Sequence, residues 1–223
     1  MDSDVEYVPS DYAVVGLKSD PQRLLAIDDE PSHFLHRHEG HVTLYDGEGG
    51  DDPIEIGRYR AYYIDAEGAL NADVPLHDVL DAMQVTYGYL ELYDLDTGSF
   101  SEAAKKAGDA DWLYEPNLLI LDRLEILPRY RGRGYGLQAL VGMMHWFQLG
   151  AGLVAMKPFP LQSEASNRRP GDPPDPLELD KFPSHHIAAR TKLRRYYGQL
   201  GFKLITKTDF MVRRVDRALP KLP

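Results

Sequence analysis

The sequence predicts an α/β fold built as one domain, and three observations carry that prediction. The run Asn117-Leu118-Leu119-Ile120-Leu121-Asp122-Arg123-Leu124-Glu125-Ile126-Leu127 is apolar at nearly every position at first and stops at Pro128, the pattern of a central strand covered on both faces. A glycine-rich loop, Arg131-Gly132-Arg133-Gly134-Tyr135-Gly136, follows, and from Leu137 the apolar positions Leu140, Val141, Met144 and Phe147 recur at helical spacing. Leu153-Val154-Ala155-Met156 then reads as a parallel strand, which completes a strand, helix, strand unit. At 223 residues the chain is long enough for one such domain with elaborations and short for two.

Taken in order, residues 12–17 read as a short strand, and 22–27 as a strand or one helical turn. His41–Tyr45 and Ile54–Ile64 read as a β-hairpin around the turn-rich stretch from Asp46 to Pro53. Leu76, Val79, Leu80 and Met83 give helical spacing, with Asp73 and Pro75 suited to the start. A second helix is expected near Ser99, where Ser99 and Glu102 have capping-box spacing, and it ends at Gly108. Gly150 or Gly152 closes the helix after the glycine loop. Residues 158–183 carry seven prolines and few apolar anchors, so an irregular insertion is expected there. Helical spacing resumes from Ile187 to Leu200, and 203–205 and 210–215 read as closing strands.

Composition narrows the function. A formal net charge of −10 argues against nonspecific nucleic-acid binding, which needs a basic footprint, and favours cationic partners. With no cysteine there is no disulfide, thiolate metal site or cysteine nucleophile. No apolar run is long enough for a membrane span, and the N-terminus has no secretory pattern, so a cytoplasmic location without membrane contact is expected.

Set between a strand and a helix, the Arg131 to Gly136 loop presents backbone N–H groups at the positive end of a helix dipole, which is an anion-binding arrangement. Gly132, Gly134 and Gly136 allow close approach of a pyrophosphate, and Arg131, Arg133 and the backbone of Tyr135 complete the cradle. A phosphate-binding P-loop would end in Gly-Lys-Ser or Gly-Lys-Thr, and a dinucleotide fingerprint would read G-x-G-x-x-G with an acidic residue about 20 positions on. Neither is present.

These residues resemble the GNAT N-acetyltransferase superfamily, whose acetyl-CoA loop reads R or Q-x-x-G-x-G or A, here Arg131, Gly134 and Gly136. The family's later aromatic pair and Leu-Gly-Phe resemble Tyr196-Tyr197-Gly198-Gln199-Leu200-Gly201-Phe202. The likeness covers about residues 117 to 215. It implies a mixed, mostly antiparallel central sheet with a splayed parallel strand pair, flanked by helices, with an atypical N-terminal half. The single domain 1–223 then divides into 1–116, with strands and extra helices, a cofactor-binding core of 117–157 and 184–215, and the insertion 158–183.

The resemblance further implies transfer of an acetyl or other acyl group from coenzyme A to an amine-bearing small molecule or peptide, by direct attack. A backbone N–H at Ile126 or Leu127 would hold the acyl carbonyl, and Tyr197 would protonate the leaving sulfur, with Tyr196 as the neighbour one register away. Glu125 or Asp122 would accept the amine proton, though an arginine salt bridge is an equal reading of either. Three positions apart on an unbroken strand, they would point to opposite faces, so at most one would face the amine unless a bulge intervenes. Arg190 stands where many family members have an asparagine facing the cofactor. A noncatalytic acyl-CoA-binding or regulatory domain is the alternative. His145, His185 and His186 read as surface or capping residues, and His33, His36, His38 and His41 match no metal motif, so no metal is expected. A homodimer paired through edge strands is the expected assembly.

Overall fold

A computed structural model describes residues 14–19, 30–45, 52–110, 113–165, 175–182 and 185–219. The expected strand or turn at 22–27, the start of the 12–17 strand and most of the Asp46 to Pro53 turn lie outside the described residues.

The elements are β1 (Val14–Ser19), β2 (Leu35–Tyr45), β3 (Ile54–Ile64), α1 (Ala66–Asn71), α2 (Leu76–Asp81), α3 (Gln84–Tyr87), β4 (Tyr93–Asp94), β5 (Ser99–Phe100) and α4 (Glu102–Ala107), followed by β6 (Leu118–Ile126), α5 (Tyr135–Phe147), β7 (Leu153–Met156), α6 (Gln162–Ala165), α7 (His186–Gly198), β8 (Lys203–Leu204) and β9 (Met211–Arg214). The chain is α/β, with a seven-stranded mixed sheet in the order β1-β2-β3-β6-β7-β9-β8. All neighbours are antiparallel except β6 and β7.

Apolar side chains leave the sheet on both faces, as strands covered on both sides require. On one face Tyr59, Ala61, Leu119 and Val154 pack against Leu137, Leu140, Met143 and Met144 of α5. On the other, Tyr62, Ile64, Leu118, Ile120 and Val212 pack beneath Val79 and Leu80 of α2 and Ala104 of α4. Helices α1 to α4 are short, and burial of their apolar residues against the sheet holds them where length alone would not.

Two expected boundaries move. The second helix starts after Ser101, whose hydroxyl accepts from the Ala104 N–H, because Ser99 is committed to pairing with Asp94 in the β4–β5 hairpin. The helix after the glycine loop already begins at Tyr135 and stops at Phe147, before either glycine expected to end it. Within the insertion, Gln162–Ala165 is helical and Leu179–Lys181 forms one 3-10 turn.

Candidate functional site

The parallel pairing of β6 with β7 lasts for only Leu118–Leu153, Leu119–Val154 and Ile120–Ala155. Past Ile120, β6 continues to Ile126 alongside β3 while its other edge loses its partner, and a cavity of about 520 Å³ fills the opening. Its walls include Leu121 to Ile126 from β6, Met156 from β7, Leu140 from α5, Tyr196 and Tyr197 from α7, and Leu177, Leu179 and Phe182 from the insertion.

Strand alternation decides which backbone groups face this opening. The Leu127 N–H donates to the Ile56 carbonyl at 2.8 Å, so it is turned toward β3 and cannot hold a group in the cavity. Of the two N–H groups expected to do so, Leu127 is therefore excluded. Neighbouring residues of a strand present their N–H and C=O to opposite edges, which turns Ile126 and Leu124 to the unpaired side.

The β3–β6 register contains a bulge. Ala61 faces Leu121 and Arg60 faces Arg123, leaving Asp122 as the extra residue. The strand is therefore broken by the bulge that the expectation excepted, and Asp122 and Glu125 both lie on the face of Arg58 and Arg60. Arg60 Nε donates to Asp122 at 2.6 Å, and Arg123 Nε donates to Glu125. Each candidate base is thus in an arginine ion pair.

The same register lays two charged rows across three strands, Glu39–Arg60–Arg123 and His41–Arg58–Glu125. They line a second cavity of about 370 Å³, which shares Arg123 and Glu125 with the first. Alternation within 35–64 is the local signal for this trough, but the trough exists only in one register of the three strands.

In the glycine loop, whose first residue Arg131 borders the cavity, Gly134 caps α5 in the left-handed region at φ 82°, and Gly132 is left-handed at φ 75°. No atom lies within 4 Å of where a Cβ would stand at either, so the loop surface is open there. Leu137 N–H already donates to the Gly134 carbonyl at 3.0 Å, which leaves the N–H groups of Tyr135 and Gly136 as the first-turn donors without an intrahelical acceptor. Loop and cavity meet at Tyr196, whose hydroxyl lies 2.6 Å from the position a Gly136 Cβ would take. These residues fit the pyrophosphate and extended arm of coenzyme A: an open backbone cradle at a helix start, and an unpaired strand edge for amide groups.

Arg131 takes a different part from the expected phosphate contact. Its Nε donates to the Ile126 carbonyl at 2.7 Å, its Nη2 to the Leu177 carbonyl at 2.8 Å, and its guanidinium lies 5.0 Å from the Phe182 ring centre. It braces the loop against the insertion. The Asp175 carboxylate completes the brace by accepting from the Leu177 and Leu179 N–H groups, both at 2.9 Å.

Tyr196 and Tyr197 both line the cavity, with ring centres 5.5 Å apart. Burial, and secondarily the neighbouring Tyr196, pushes the Tyr197 phenol up to about 12. Burial also raises Tyr196. Arg190 pairs with Asp209 and is not among the cavity residues. His145 is exposed on α5, whereas His185 borders the cavity at the start of α7. His38 stacks on Phe147 at 4.4 Å, and among the described residues no group of three His, Asp or Glu side chains is placed to hold a metal ion. No described helix is long and apolar enough to cross a membrane.

No protein-family model, curated protein or solved structure matches this chain.

Proposed function

We propose that the chain is an acyl-coenzyme-A-dependent N-acyltransferase of the GNAT type. The observation that carries this reading is the divergence of β6 and β7 after three residue pairs, with a cavity in the gap that Arg131, the first residue of the glycine loop, borders. A cofactor bound with its pyrophosphate on the N–H groups of Gly134 to Gly136 runs its arm along the β6 edge that has no strand partner, at Leu124 and the Ile126 N–H, the Ile126 carbonyl being held by Arg131. Arg123 and Glu125 line both cavities, so the charged trough, with the carboxylates of Glu39 and Glu125, is the approach assigned to a polar amine.

In the reaction the amine nitrogen forms a bond to the thioester carbon, the carbon–sulfur bond breaks, and the thiolate leaves. The amine gives up one proton, for which Glu125 and Asp122 are the nearby acceptors, and the sulfur acquires one. A backbone N–H of the free β6 edge meets the developing charge on the acyl oxygen. A phenol raised to about 12 stays protonated near neutral pH, so Tyr197 serves the leaving sulfur as a hydrogen-bond donor. The ion pairing of both carboxylates favours a second reading, a noncatalytic acyl-CoA-binding domain.

Calorimetric titration with coenzyme A tests the shared premise, and saturable one-to-one binding is expected. A thiol-release screen with acetyl-CoA and a panel of amines, polyamines, amino acids and peptides then separates the readings. Absence of binding would remove both. Binding without release for any amine would leave the noncatalytic one.

A further inference from the structure

Resting on the acyl-CoA reading above, we infer that the acyl group held at this site is an apolar chain longer than acetyl, seated between the start of α7 and the segment that follows β7. The cavity, about 520 Å³, is bounded by more than the β6 edge. Beyond Met156 the chain turns over the opening, and Phe159, Leu161, Phe182 and Ala189 line this second wall.

The chemistry of that wall is one-sided. A coenzyme-A arm carries amides and hydroxyls, and burying these without partners is costly. The β6 edge supplies such partners, whereas most side chains of this wall are alkyl or aromatic, with Lys157, Gln162, His185 and Lys192 as its polar members. An alkyl chain, by contrast, needs only apolar surface to replace water. Phe159 and Phe182 are 43% and 41% exposed, unusual for phenylalanines, and both border the cavity, so a chain lying between them removes their apolar surface from water along with its own. Leu177 and Leu179 are buried beneath and fixed by Asp175 and Arg131, so the wall is built and tied to the cofactor loop. The polar acceptor has its own approach through the charged trough, which leaves the apolar wall to the acyl group.

The test is an equilibrium titration of the full chain with coenzyme A and with acetyl-, butyryl-, hexanoyl- and octanoyl-CoA below their micellar concentrations. Each added methylene should lower Kd about fourfold, the value of roughly 0.8 kcal/mol per buried methylene, until the pocket is full. Binding should stay one-to-one and be competed off by coenzyme A. Ala189→Phe fills the wall and should flatten this dependence. If that variant loses its circular-dichroism signature, Phe182→Ala carries the test, and a smaller gain per methylene is expected from it. Equal affinity across the series, or tightest binding of acetyl-CoA, overturns the inference and leaves the acyl-CoA reading in place. Failure of coenzyme A itself to bind overturns both.

Discussion

The hydroxyl of Tyr196 occupies the space that a side chain at Gly136 would need, 2.6 Å from the position of its Cβ. Alanine in a helix is favoured over glycine by about 1 kcal/mol, but here it must displace a phenol. Gly136→Ala should therefore change stability little in the native background. In Tyr196→Phe, which removes the obstructing oxygen, the same substitution should stabilise by about 1 kcal/mol. Urea denaturation of the four proteins measures the coupling, and additive effects would break the link between loop and helix.

Gly134 is constrained differently, since its surroundings are open and only its backbone angle demands glycine. Gly134→Ala should cost about 1–2 kcal/mol, the penalty for a side chain in the left-handed region. Gly134→Val should in addition weaken coenzyme-A binding at least tenfold, because a branched side chain projects over the cradle. Calorimetry on the folded variant provides the measurement, and unchanged affinity would remove the loop from the binding site.

Tyr197 predicts an alkaline limb of stability. Its folded pKa, about 12, lies above the ordinary phenol value of 10.0, so its share of stability is complete below pH 10. As pH rises, the unfolded chain ionises first and stability falls until the folded group also titrates. Tyr197→Phe should recover about 1 kcal/mol of this loss by pH 11 in denaturation experiments, while the other buried tyrosines keep part of the limb. If turnover is found, the same variant should lower the rate more than it weakens cofactor binding.

The Arg60–Asp122 pair is partly buried, so breaking one side should be worse than removing both. Asp122→Ala is expected to destabilise by about 2–3 kcal/mol, and the double variant Arg60→Met with Asp122→Leu by less. Chemical denaturation tests the order of the two values.

Arg131→Gln removes the brace from the Ile126 and Leu177 carbonyls. A loss of about 1–3 kcal/mol is expected. Cleavage between 175 and 182 should appear early in limited proteolysis. Unaltered protease resistance would show that Asp175 alone holds that segment.

Much of the C-terminal half was legible because its signals are local. The apolar run of β6, the glycines before α5 and the four residues of β7 each encode their element within a few positions. The N-terminal half was less so: β2 begins at Leu35, six residues before the expected start, because His36, Arg37 and His38 are held by pairing with β3 rather than by their own propensity.

By itself the sequence determined the strand, loop, helix, strand unit, the presence of two tyrosines after it and the proline-rich insertion, since composition and spacing encode these directly. Tertiary structure alone decided the bulge at Asp122, the engagement of the Leu127 N–H by Ile56 and the seating of Tyr196 on Gly136. It also decided the turn of Arg131 toward Leu177. In each case the partner lies far away in the chain, and the register of one strand on another sets which groups face the cavity. No local pattern carries that register, because a shift of one residue leaves every propensity unchanged while it exchanges the two faces of the strand.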